Sequence, residues 1–173
     1  MSASPDPNEI LPPQGRLLGV DFGTKRVGIA LCTPDRTMAG PLEIYERRNE
    51  RLDARYFREL LEEYRFCGIV VGLPIHVHGG ESQKSREAQV YGKWLHEVTG
   101  LPVVYWDERY TSAVAEDFLL AADLTRKQRK KRIDKVAAQI ILQAFLDAHR
   151  PRPTLSDEVE DDDYFDDEPY REE

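Results

Sequence analysis

The run Gly68-Ile69-Val70-Val71-Gly72, closed by Leu73-Pro74, restricts the folds open to this chain more than any other segment. It is short, continuously apolar and bounded by glycine, the pattern of a buried central strand, and Pro74 stops it by withholding a backbone donor. Such a strand needs cover, and the flanking sequence supplies it. From about Asn49, the apolar residues Leu52, Tyr56, Leu60 and Leu61 recur at helical spacing between Arg and Glu, which predicts an amphipathic helix over one sheet face. A second helix is predicted from roughly Ser82 to Val98, ended by Gly100, and Val103–Trp106 reads as the next strand, so that strand, helix and strand form a βαβ unit.

Upstream, Arg16–Asp21 and Val27–Cys32 are apolar runs joined by Phe22-Gly23-Thr24-Lys25-Arg26, the pattern of a hairpin, with a third strand near Pro41–Tyr45. Downstream, helices are predicted from Thr111 or Ser112, from Thr125 with the capping-box pair Thr125 and Gln128, and from Asp134 to about His149. In the last of these Val136, Ala137, Ile140, Ile141, Ala144, Phe145 and Ala148 form a stripe broad enough to pack onto a sheet.

A chain of 173 residues has room for one α/β domain with a real core and hardly for two. The expected division is a flexible leader over 1–15, the domain over 16–150 and an acidic, disordered tail over 151–173. The leader has neither a basic start nor an apolar run, so it reads as no signal or transit peptide, and nothing later is long enough to span a bilayer. Cys32 and Cys67 have no metal-ligand or disulfide-framework spacing, which suits a reducing cytoplasm.

The net charge of -8 misleads about partners. Residues 151–173 hold eleven Asp and Glu against Arg152 and Arg171, which leaves 22 basic and 21 acidic residues in 1–150. A body able to bind a polyanion, trailing an acidic tail, fits this distribution. The tail either screens the body against non-specific nucleic acid or binds a basic partner.

Three segments carry candidate chemistry. In Gly19-Val20-Asp21-Phe22-Gly23-Thr24-Lys25 an aspartate ends an apolar strand, where it either faces the sheet edge or caps the turn. In Tyr105-Trp106-Asp107-Glu108-Arg109 two adjacent acids follow a strand; they should point in different directions, so that one is a ligand, or both solvate a loop and pair with Arg109. In Arg132-Ile133-Asp134-Lys135 an aspartate opens a helix, where an N-cap role is the plain alternative.

Six of the seven residues from Arg126 to Arg132 are basic, namely Arg126, Lys127, Arg129, Lys130, Lys131 and Arg132, with Lys135 just beyond. Phosphates are the partners such density suits, unless it is an exposed basic helix face. Lys25, Arg26 and Arg109 either approach phosphate as well or belong to solvated turns. Three carboxylates from separate segments are what Mg2+ or Mn2+ requires, and two such ions roughly 4 Å apart would activate water against a phosphodiester.

The Asp-x-Gly-Thr hairpin resembles the start of ribonuclease H-like nucleases and of actin-like ATPases and sugar kinases. An ATPase of that kind needs a second domain and a second phosphate loop, which 173 residues do not hold. With DFGTKRVGIA, VVGLP, DERYTS and IDKVAAQIIL in order over about Arg16 to His149, the chain resembles the YqgF family, known as Holliday-junction resolvase-like proteins and as pre-16S ribosomal RNA nucleases. The resemblance implies an α/β, ribonuclease H-like fold, a mixed five-stranded sheet with helices on both faces. It also implies an acidic site at Asp21, Glu108 and Asp134 holding Mg2+ or Mn2+, and a role in ribosomal RNA maturation.

One departure is Ile75-His76-Val77-His78-Gly79-Gly80, where relatives carry an Asn-Met-Asp-Gly-like loop, so that His78 stands at an acidic position. His78 either contacts phosphate or water there or sits on a loop, and the i, i+2 spacing of His76 and His78 argues against zinc. The expectation is a metal-dependent nuclease, monomer or homodimer, acting on precursor ribosomal RNA, with a ribosomal partner possible and no membrane. The alternatives are a branched-DNA resolvase and a non-catalytic RNA- or ribosome-associated factor.

Overall fold

A computed structural model describes residues 10–75, 80–111 and 126–150, with the side chains of residues 110 and 126–135 left undescribed. The sheet has five strands: β1 (Leu17–Asp21), β2 (Arg26–Cys32), β3 (Ala39–Glu46), β4 (Gly68–Leu73) and β5 (Val103–Asp107). Their spatial order is β3-β2-β1-β4-β5. The first three run antiparallel, whereas β4 lies parallel to β1 and β5 parallel to β4. Around them lie α1 (Glu50–Tyr64), α2 (Gln83–Thr99), a short 3-10 turn (Glu108–Thr111) and α3 (Arg126–Ala148).

Local chemistry explains the boundaries. Asn49 caps α1 by accepting from the Leu52 amide at 3.0 Å, and Ser82 caps α2 by accepting from Ser85 at 3.0 Å. Gly100, at φ 72°, ends α2 in the left-handed conformation that glycine adopts without strain. Pro41 lies inside β3, which is tolerable because β3 is an edge strand and its pairing with β2 shifts register between Ile29 and Ala30.

Period-two alternation sorts the sheet into two faces. Leu18, Val20, Val27, Ile29, Ile69 and Val71 pack under α1 and α2 with Phe57, Tyr91 and Leu95. Leu17, Ala30, Val70 and Val104 pack under α3 with Ile141, Leu142 and Phe145. On this second face three strands contribute glycines, and α3 lies almost on the backbone. A Cβ at Gly19 would come within 2.8 Å of Leu142 Cβ, one at Gly28 within 3.4 Å of Ala138 Cβ, and one at Gly72 within 2.5 Å of Ile141 Cδ1.

The structure corrects two expectations. The helices predicted from Thr125 and from Asp134 are one continuous helix, because no Gly or Pro interrupts Arg126–Ala148 and Arg, Lys and Gln are good helix formers. Asp134 therefore lies eight residues inside α3 and does not cap it. Leu11, predicted within a flexible leader, is buried beside Leu17 and Gly68. The helix expected from Thr111 or Ser112 falls largely outside the described residues, as do the capping Thr125 and the tail.

One buried acid ties an edge strand to a helix. Asp53, 3% exposed on α1, accepts from Tyr45 Oη at 2.8 Å and from the Arg48 amide at 3.0 Å. Asp53→Ala strands that hydroxyl and amide, and should cost roughly 1–3 kcal/mol in urea unfolding. An unchanged midpoint would show that the pair contributes nothing.

Candidate functional site

Three parallel strand ends, those of β1, β4 and β5, share one edge of the sheet, and the side chains beyond them decide what that edge can do. Asp21 is the last residue of β1 and pairs across the hairpin with Gly28. Alternation from Gly19 turns it to the α3 face. The point a Cβ would occupy at Gly28 lies 3.3 Å from Asp21 Cβ and 3.4 Å from Ala138 Cβ, so strand and helix meet there.

The adjacent acids after β5 separate by the same parity. Leu73 pairs with Asp107 and Gly72 with Trp106, so Asp107 belongs to the α2 side and Glu108 follows Trp106 onto the α3 side. Asp107 is occupied. Its carboxylate accepts from the Arg109 amide at 2.9 Å and from Arg109 Nε at 3.0 and 2.8 Å, which holds the 3-10 turn and keeps the carboxyl below its usual range. Glu108 extends over Gly72, where a Cβ would lie 2.7 Å from Oε1.

Glu108 is pushed up to about 7, first by burial and then by the charges of Asp21 and Asp107, while Lys84 at the start of α2 opposes the rise. Asp21 and Glu108 thus converge on one face with like charge in a half-buried place. Arrangements of this kind recur where a cation or proton is to be held.

The third expected carboxylate is carried by α3. Ala138 lies over Gly28 and Leu142 over Gly19, so the helix runs back along β1 and position 134, one turn before Ala138, lies about 6 Å further out beyond the end of β1. The Asp134 side chain is outside the described residues. Among the described residues no group of three His, Cys, Asp or Glu could hold a metal ion. His76 and His78 also fall outside the description.

The expected phosphate contacts divide between the faces. Arg126, Lys127, Arg129, Lys130, Lys131, Arg132 and Lys135 occupy the first turns of α3, on the outward side of position 138, with side chains not described. Arg109 is paired with Asp107 and still 41% exposed. Lys25 sits on the exposed β1–β2 turn and borders a cleft on the opposite face of the sheet. Lys84 carried no signal in the sequence, because a lysine near a helix start reads as solvated surface.

The model of the family described as "RuvX: Holliday junction resolvase" matches residues 15–148. A protein of Rhodopirellula baltica named "Putative pre-16S rRNA nuclease" is 46% identical over 145 residues, covering 84% of each chain. A protein of Syntrophomonas wolfei with the same name is 44% identical over 132 residues, covering 76% of this chain and 94% of its own. Among solved structures, RuvC of T. thermophilus in complex with a Holliday junction aligns with a TM-score of 0.52 at 14% identity over 78% of this chain and 94% of that one, a likeness of fold.

Proposed function

Because the chain belongs to the RuvX family over residues 15–148, we propose that it is a metal-dependent nuclease that hydrolyses phosphodiesters of precursor 16S ribosomal RNA. The observation that carries the reading is the convergence of Asp21 and Glu108 on the α3 face, where burial first, and then the charges of Asp21 and Asp107, raise Glu108 to about 7. Two acids held together at such cost suit a divalent cation, and Asp134 on α3 is the proposed third ligand. Oxygen donors of this kind fit magnesium or manganese better than softer metals.

Bound there, the metal supplies activated water and neutralises charge on the leaving oxygen. The chain's own residues do the positioning. Asp21 is fixed by the β1–β2 ladder, and Glu108 is held over Gly72 by the 3-10 turn that Asp107 and Arg109 lock. The basic first turns of α3 bind phosphates flanking the bond, which makes association salt dependent and largely indifferent to sequence. Free cysteines at 32 and 67, and the absence among described residues of a helix able to cross a membrane, suit a protein working beside ribosomal RNA in the cytoplasm.

The names of the curated relatives favour RNA, and the description of the family favours a four-way DNA junction as the second reading. Purified protein incubated with labelled precursor RNA and with four-way junctions should cut the RNA in magnesium or manganese and stop in EDTA. Cleavage of junctions alone would replace RNA by branched DNA, and cleavage that persists in EDTA would remove the metal.

A further inference from the structure

The face of the sheet away from α3 carries a cleft of about 1130 Å3 between the β1–β2 turn, the β3–α1 junction and α2. It starts beside the proposed centre, because Asp21 faces α3 and its neighbour Phe22 faces the cleft. Its floor is a row of rings. Phe22 lies 4.8 Å from Tyr91 between centroids, and Tyr91 stacks on Trp94 at 5.2 Å with 28° between planes. Val90, one turn before Trp94 on α2, is 71% exposed at the rim.

Cations surround this apolar floor. Arg47 lies across it, 5.5 Å from the Phe22 centroid and 5.0 Å from that of Tyr91, anchored by Asp53 at 3.7 Å from Nε and by the Thr24 carbonyl at 3.3 Å. A guanidinium fixed on rings and backed by a buried carboxylate has lost its rotamer freedom before any ligand arrives. Lys25, Arg26, Arg48 and Arg86 complete the rim, all exposed. Glu46, Glu50, Glu87 and the buried Asp53 also border the cleft, so its charge is mixed, with Glu46 and Glu50 sharing the β3–α1 junction with Arg47 and Arg48.

We propose that this cleft binds a single-stranded segment of nucleic acid, its unpaired bases stacked on the half-buried Phe22 and Trp94 rings and on the Arg47 guanidinium, which the buried Tyr91 backs, and its phosphates on Arg48 and Arg86. Every base has a π face, so such a platform takes single strands with little regard to sequence. The mixed rim alone would be weak attraction, and the accessible planes of Phe22, Trp94 and Arg47 are what distinguish an unpaired strand from a duplex or an acidic protein. With the nuclease reading, the strand leaving the scissile bond passes from the α3 face over the β1–β2 turn into the cleft. The proposal rests on that reading for its direction and not for its existence.

The test is binding without metal. A labelled twelve-nucleotide oligouridylate, its deoxythymidylate counterpart and a blunt duplex are titrated in EDTA across a salt series, with fluorescence anisotropy as readout. Both single strands should bind more tightly than the duplex, and the RNA and DNA arms report which sugar is preferred. The double variant Arg48→Gln/Arg86→Gln should weaken single-strand binding about tenfold and reduce the salt slope by about 1.4, two phosphates at roughly 0.7 each. In a Trp106→Phe background, oligonucleotide should quench Trp94 fluorescence.

Equal or tighter duplex binding, an unaltered salt slope in the double variant, or an unquenched Trp94 would each overturn the proposal. A protein that cleaves nothing yet binds single strands through Arg48 and Arg86 would sink the nuclease reading and keep the cleft. Normal cleavage with binding untouched by the double variant would do the reverse.

Discussion

Glu108→Gln will lower metal-dependent cleavage by about 100-fold or more, the scale seen when one group acting on developing charge is removed, and will at the same time make the protein more stable at about pH 8. The first effect follows from losing a proposed ligand. The second follows from Glu108 lying near 7 in the folded chain against an ordinary 4.5. Between those values the folded state keeps a proton that the unfolded state has released, so stability falls as pH rises through that window. Glutamine carries no charge there and abolishes the slope.

Urea unfolding of both proteins at about pH 5 and about pH 8 reads this directly. Wild type should lose stability between the two pH values, and the variant should lose less. Magnesium should return stability to wild type at the higher pH, because an ion that binds only the folded, ionised site adds its binding free energy to folding. It should do little for the variant. Cleavage by wild type should rise over the same interval, as Glu108 gives up its proton. A variant that is less stable than wild type at about pH 8 would mean that the charges at this edge are not in conflict, and the cation argument would fail with them.

Much of the fold was legible because its signals are local. The glycine-bounded run ending at Pro74, the caps at Asn49 and Ser82, and the stop at Gly100 each depend on a few neighbouring residues. Asp134 misled for the same reason: an aspartate before an apolar stripe looks like a cap, and only the uninterrupted helix formers upstream carry α3 back to Arg126. The choice between Asp107 and Glu108 depends on strand parity, which becomes readable only once the register of β4 against β5 is known. Nothing local marks Asp53 as buried, because its partner Tyr45 lies in a strand whose position over α1 no local pattern reveals. The ring row of Phe22, Tyr91 and Trp94 is assembled from two segments about seventy residues apart and gave no sign at all.

The glycines under α3 belong to that illegible class, and they support the second large expected effect. Gly19→Val should destabilise the protein by about 3 kcal/mol or more, at the upper end of what overpacking costs. A strand glycine can signal a close approach of backbone, but the element that approaches Gly19 lies more than a hundred residues away. Even a single Cβ there would sit 2.8 Å from Leu142 Cβ and 3.1 Å from the Ala138 carbonyl oxygen. Neither is the far end of a flexible side chain, so the helix itself must move. Gly40, with nothing within 4 Å of its would-be Cβ, is the control, and Gly40→Ala should change little. Gly72→Ala lies between these extremes, since the atoms it meets are Ile141 Cδ1 and Glu108 Oε1, both able to swing away. Its cost should appear less in urea unfolding than in cleavage, because the group displaced is the carboxylate proposed to hold the metal. If Gly19→Val unfolds at the wild-type midpoint, α3 does not rest on this face as described, and the proposed approach of position 134 to Asp21 loses its support.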